Sequence, residues 1–325
     1  MVTYQPRKQA GYTLVELLIV IMIALLLMVV SLPTIKSVME DARPREASRI
    51  LNTMIFTAKA RAAQFGNPVG IEFVYDPNTV AGAARCTQMY MCEIPPIYAG
   101  DTTNARVTVD TSMSPWVLRF STGAADILPS LLDASNQFWI RINHRGPWYE
   151  ARYNPMGSGS YSLTASAIRP PTTDPNGYSF QIRRPPVRVG NPVEMPKSTA
   201  IDMTYSGMGP RGVDFNSTAA LRVLFSPSGH VESYTLAGGT PQAATGTLHF
   251  LIGLAAKVSP SANAFDLEQS NLADANALWV SVGRATGIVT TNENAAAPPT
   301  SSSVLSDYLE ACREYATNRE QKGGR

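Results

Sequence analysis

The stretch RKQAGYTLVELLIVIMIALLLMVV, Arg7–Val30, decides the fold. Leu17 to Val30 is an unbroken apolar run of fourteen residues, and with its flanks, Thr13 to Leu32, it reaches twenty. At about 1.5 Å per residue, a helix of that length spans about 30 Å, the thickness of a bilayer's hydrocarbon core. Arg7 and Lys8 precede it and favour a cytoplasmic N-terminus. The first reading is a single membrane span with everything after Pro33 exported. A cleaved secretory signal peptide also has a basic start and an apolar middle. It fits less well. SLPTIKSVMED, after the run, offers no small-x-small cleavage site, and a helical pattern continues directly from the apolar segment. Neither reading accounts for Glu16, a carboxylate inside the first turn of the greasy segment.

The hexapeptide GYTLVE, Gly11–Glu16, resembles the N-terminal signal of type IV pilins and type II secretion pseudopilins. Their pattern is glycine, an aromatic residue (usually Phe), Thr-Leu-x-Glu, and then about twenty apolar residues. The resemblance implies that a prepilin peptidase cuts on the cytoplasmic side between Gly11 and Tyr12. Residues 1–11 are then a discarded leader, and Tyr12 becomes the N-methylated first residue. Tyr in place of Phe is a conservative departure. Pro33 falls where these proteins often carry a helix-kinking proline. A charged side chain at bilayer depth costs on the order of 2.5–3.5 kcal/mol on insertion scales, so it usually has a partner or a task. In a filament of packed N-terminal helices, the resemblance implies that Glu16 meets the terminal amine of a neighbouring subunit. The plainer alternative places Glu16 near the interface, where it snorkels to water.

The rest of the chain reads as α+β. A helical pattern resumes after Pro33 and runs to Gly66-Asn67-Pro68, a strong stop. Residues 12–33 form the transmembrane half of one long helix and 34–66 its amphipathic continuation. Pro44 predicts a kink or a short break. Ala47, Ile50, Leu51, Met54, Ile55, Ala58, Ala62 and Phe65 mark one face, with Arg49, Lys59 and Arg61 on the other. That apolar face should pack on an antiparallel sheet. Strand signals follow, from PVGIEFVY at Pro68–Tyr75 through ALWVSVG at Ala277–Gly283, punctuated by Gly, Pro, Asp and Asn. Residues 67–289 make the β-rich globular domain.

Four passages resemble H-type minor pseudopilins and T-type minor pilins. FTAKARAAQFGNPVGIEF is similar to their helix end and first strand. EMPKSTAIDMTYSG is similar to a strand opening there, and LRVLFSPSGHVESYTL to a turn between strands. LWVSVGRATGIVTT resembles their closing hairpin. Residues 76–193 match none of this and read as an insertion. Residues 290–303 are a polar Pro/Ala/Ser-rich linker. Residues 304–325 begin with a short amphipathic helix carrying Val304, Leu305, Tyr308, Leu309, Cys312 and Tyr315 on one face, with Ser303 as its cap. It docks either on its own domain or on a partner.

The net charge is +2, so no global field favours nucleic acid or an anionic surface. There are three cysteines. Cys86 and Cys92 enclose CTQMYMC; outside the cytoplasm they are a candidate local disulfide, or else two unpaired small buried residues. No CxxC pair exists and the three histidines, His144, His230 and His249, are scattered, so no metal is expected. No P-loop, HExxH or GxSxG appears, and the reading expects no cofactor and no catalysis. One constellation raises nucleic-acid contact. IRINHRGPWYEARY interleaves arginines with Trp148, Tyr149 and Tyr153, and FQIRRPPVR adds Arg183, Arg184 and Arg188. The alternative is a hairpin whose arginines are solvated and whose rings are core, and the near-neutral charge favours it.

The resemblance therefore implies a structural subunit made as a precursor in a bacterial inner membrane. Its partners would be the prepilin peptidase, other pilins or pseudopilins in a filament, the inner-membrane assembly platform and a secreted substrate. A DNA- or ligand-binding tip subunit and a membrane-anchored enzyme are the competing classes.

Overall fold

The computed structural model describes residues 13–76, 84–112, 115–121, 137–154, 160–164, 170–171, 174–211, 214–216, 220–236, 239–259, 263–295 and 305–321, without the side chains of 29–41, 154, 160 and 318–321. Helix α1, Leu14–Phe65, is one continuous element of 52 residues, about 78 Å long. The short break suggested by Pro44 does not occur. A proline removes one backbone donor but its φ suits a helix, and beyond it Ala47, Ser48 and Leu51 are buried against the sheet and hold the helical course. α1 ends at Gly66, whose φ of +67° is left-handed and whose N–H donates to the Ala62 carbonyl at 3.0 Å.

The face read from the helical spacing is largely the buried one. Ala47, Leu51, Met54, Ile55, Ala58 and Ala62 are buried, and Ile50 packs beside them. Phe65 differs: it is 51% exposed, and the Arg61 guanidinium lies over its ring at 5.8 Å. Alanines at 47, 58 and 62 bring the helix backbone close to the sheet below.

That sheet is antiparallel and holds nine described strands. Its strands are β1 (Val69–Tyr75), β2 (Arg85–Glu93), β9 (Val187–Glu194), β10 (Thr199–Met208), β11 (Leu221–Phe225), β12 (Val231–Leu236), β13 (Leu248–Leu254), β14 (Leu278–Val282) and β15 (Val289–Glu293). The order is β12-β11-β1-β2-β10-β13-β14-β15, with β9 also paired to β2. Val69, Ile71 and Phe73 of β1 face α1, and Phe73 stacks on Phe250 of β13 at 4.8 Å. On the opposite face, the Glu72 carboxylate is buried and bridges Arg188 of β9 (2.8 Å) and Arg222 of β11 (3.0 Å). Burial pushes its pKa up, but the hydrogen bond from Arg188 and the two guanidinium charges outweigh that and hold it below the usual range.

A second sheet is inserted between β2 and β9: β3 (Val107–Asp110), β4 (Val117–Phe120), β5 (Gln137–Ile142), β6 (Tyr149–Asn154), β7 (Ser160–Leu163) and β8 (Phe180–Arg183), in the order β3-β4-β7-β6-β5-β8. It has its own core of Val107, Leu118, Phe138, Ile140, Tyr161 and Phe180 among others. The stretch read as an insertion is thus divided. Its outer ends, β2 and β9, belong to the main sheet and pair with one another, Glu93 opposite Val187. Because Glu93 also lies opposite Val69, just past the end of α1, the second sheet leaves the main one at the helix end far from Leu14.

Helix α2, Leu305–Gln321, docks on this chain's own sheet against β14 and β15. Tyr308, Leu309, Cys312 and Ala316 are buried, while Leu305 and Tyr315 are largely exposed. Ser303 and Val304 lie outside the described residues. The position that sequence reading missed is Arg313, which is fully buried. Its guanidinium donates to the carbonyls of Tyr205 (2.7 Å), Gly209 (3.2 Å) and Pro210 (3.4 Å) and to Asp214 Oδ1 (2.9 Å). Arg211 adds ion pairs to Asp307 and Glu310 at the surface.

Candidate functional site

The start of α1 is built from two residues. Thr13 precedes the helix with extended φ and ψ, and its Oγ1 accepts the Glu16 N–H at 3.2 Å. Glu16 reaches back, and its Oε2 accepts from both the Thr13 N–H and the Thr13 hydroxyl at 3.1 Å. This reciprocal pairing is a capping box, which satisfies helix N–H groups that have no partner within the helix. A carboxylate there also faces the positive end of the helix dipole. The signal was legible as Thr-x-x-Glu before an apolar run, and sequence reading overlooked it. Glu16 is therefore already hydrogen-bonded within a single chain.

From Leu14 to Met28 every residue of α1 is exposed, and the large apolar side chains are 49–81% exposed. No other described residue covers them. A continuous apolar surface of this kind is the mark of a partner or a lipid phase, because water is a poor solvent for it. Leu14–Met28 is about 22 Å long. Among the described residues, no helix is long and apolar enough to cross a membrane. Gly11 and Tyr12 lie outside the described residues, as does the side chain of Pro33, although the backbone is helical there.

The remaining candidates are scattered. Cys86 and Cys92 are both free thiols, so the candidate disulfide is corrected. CTQMYMC is no loop: both cysteines stand on β2, six residues and about 20 Å apart. A disulfide needs Cα atoms within about 7 Å. An irregularity between β1 and β2 also turns them to different faces, and Cys86 joins the helix-side core while Cys92 does not. Burial pushes both thiols up to about 12. Arg183 faces Glu232 at 3.6 Å. Arg184 donates to the Pro96 carbonyl at 3.4 Å, and Arg188 is taken by Glu72 and stacks over Tyr90 at 4.5 Å. The three arginines do not converge on one free basic surface.

Two histidines have hydroxyl neighbours. His249 Nδ1 is 2.9 Å from Ser281 Oγ, but both are buried between β13 and β14, and burial lowers the imidazole to about 3. His230 Nδ1 lies 2.8 Å from the hydroxyls of Ser226 and Ser228, and the group closes the turn between β11 and β12. Among the described residues, no His/Cys/Asp/Glu group is arranged to hold a metal.

The family model for the prokaryotic N-terminal methylation motif matches residues 6–32, the segment that contains the capping box and the start of the exposed apolar run. No curated protein matches the chain, and no solved structure does. The chain therefore carries a prepilin signal of the type IV pilin and pseudopilin type.

Proposed function

We propose that this chain is a minor pilin or minor pseudopilin of the H/T kind, a structural subunit of a type II secretion pseudopilus or type IV pilus-like filament. The observation that carries the reading is the methylation motif placed on a capped helix whose first fifteen residues are exposed and, Glu16 apart, apolar. Prepilin peptidase cuts after Gly11, and the new Tyr12 amine is methylated. The apolar half of α1 then holds the subunit in the inner membrane until an assembly platform packs it against the same segments of other subunits. The globular domain is carried outside the cytoplasm. In the filament, Glu16 exchanges its partner, from Thr13 of its own chain to the methylated amine of the next subunit, which sets the axial register. The chain's own role is scaffolding; the chemistry is done to it by the peptidase. Mass spectrometry of the mature protein tests this. The expected N-terminus is monomethylated Tyr12, lost in Gly11→Ala. An unmodified N-terminus beyond Leu32 would make this a conventionally exported protein.

A further inference from the structure

We propose that the cleft between the two sheets binds an uncharged oligosaccharide. It lies where the inserted sheet meets strands β11 and β12, and its volume is about 330 Å³. A neighbouring hollow of about 420 Å³ shares the side chains of Trp148, Arg183 and Glu232 and extends it past Asn67 and Pro68, just beyond the end of α1. Such volumes lie in the lower part of the usual range for small-molecule sites, about 300–1,000 Å³. The position is at the opposite end of a ~78 Å helix from the apolar segment, so membrane or filament packing of that segment leaves the cleft open.

The lining follows from the strand register. Trp139 on β5 stands opposite Arg183 on β8 and Glu150 on β6, so the three side chains form one row on the face of the inserted sheet turned away from its core. Glu232 closes the row from β12 through its 3.6 Å pairing with Arg183. Trp148 walls both hollows, with the Arg141 guanidinium 4.5 Å from its ring centre. Arg184 lines the cleft and donates through its Nη2 to the Pro96 carbonyl at 3.4 Å.

Each part suits a sugar. The flat indole faces carry negative quadrupolar charge and accept the C–H face of a pyranose ring. Guanidinium and carboxylate groups are planar, with paired donors or acceptors spaced for vicinal hydroxyls. The Arg184 guanidinium, held against the Pro96 carbonyl, adds further N–H donors to the same wall. Charge excludes the main rival. Two arginines and two glutamates line the cleft and cancel, whereas a polyanion would meet Glu150 and Glu232.

The experiment uses the full chain in a zwitterionic, sugar-free detergent and follows tryptophan fluorescence and calorimetric heat. Two of the four tryptophans line the cleft, and Trp279 is fully buried elsewhere. The probes are maltohexaose, cellohexaose and chitohexaose. At least one should bind saturably, at least tenfold more weakly in Trp148→Ala and Arg184→Leu, and nearly normally in Trp148→Phe. Should Trp148→Ala fail to fold, Arg184→Leu carries the comparison. The proposal is overturned if none of the three binds, or if the variants bind unchanged. It is also overturned if an oligothymidylate or oligogalacturonate binds instead with a strong salt dependence. Because the readout needs neither cleavage nor assembly, it stands apart from the filament reading.

Discussion

The capping role of Glu16 and the filament role proposed for it can be separated by substitution. The capping box needs an acceptor at this position, and glutamine supplies one. Pairing with a neighbour's ammonium needs the charge. Glu16→Gln should therefore keep the helix start and membrane insertion, yet lower filament incorporation about as much as Glu16→Ala. Wild-type assembly of Glu16→Gln in a pull-down of sheared filaments would reduce this residue to a cap. A second residue shows the cost of a buried charge. Asp202 on β10 is fully buried, with Asn271 Nδ2 (3.0 Å) and the Thr204 N–H (3.1 Å) donating to its two oxygens. Burial nonetheless pushes its pKa up from 3.8 to about 6. The folded state thus holds this proton more tightly than the unfolded one. Its contribution to stability is full below about pH 4 and is lost as pH rises through about 6, on the order of 3 kcal/mol in all. Urea midpoints measured from pH 4 to 7 should fall for the wild type relative to Asp202→Asn; parallel profiles would refute the assignment.

Helix α2 is fastened both by its apolar face and by Arg313. Tyr308, Leu309, Cys312 and Ala316 join a buried cluster with Leu251, Leu272 and Trp279, and one guanidinium satisfies three carbonyls and Asp214. Arg313→Leu would leave these acceptors without their donor in a nearly closed site, at a cost on the order of 3 kcal/mol. The expected result is faster proteolysis of residues 305–321 with the main sheet intact; an unchanged digestion rate would mean that the apolar face suffices. The same helix shows why elements are harder to read than segments. Its apolar spacing was visible, but a buried arginine looks like any exposed one until its acceptors, about a hundred residues earlier, fold beside it. β2 was obscured for a related reason. Arg85–Glu93 alternates poorly because a bulge shifts its faces, and its two cysteines suggested a loop.

The whole molecule is a long helix packed on an antiparallel sheet, with a second sheet set into one hairpin. Because Glu93 and Val187 are already paired neighbours, replacing residues 95–185 with a four-residue turn should leave the main sheet folded and the signal competent for cleavage. Circular dichroism and N-terminal sequencing would check this, and an insoluble product would show that the second sheet completes the main core. Much of the architecture was legible because it rests on local periodicity. The prepilin-type signal, the long helix, its buried stripe from Ala47 to Ala62, the Gly66 stop and most strands follow from neighbouring residues along the chain. The sequence by itself determined that one end of this protein needs an apolar environment, since Leu17–Val30 is an unbroken apolar run, and among the described residues nothing covers Leu14–Met28. Only the tertiary structure decided that Cys86 and Cys92 lie too far apart to bridge, that Arg183 and Arg188 face acids, and that two tryptophans line a cleft. These depend on strand register, and register is set by contacts between residues far apart in the chain, which no local spacing encodes.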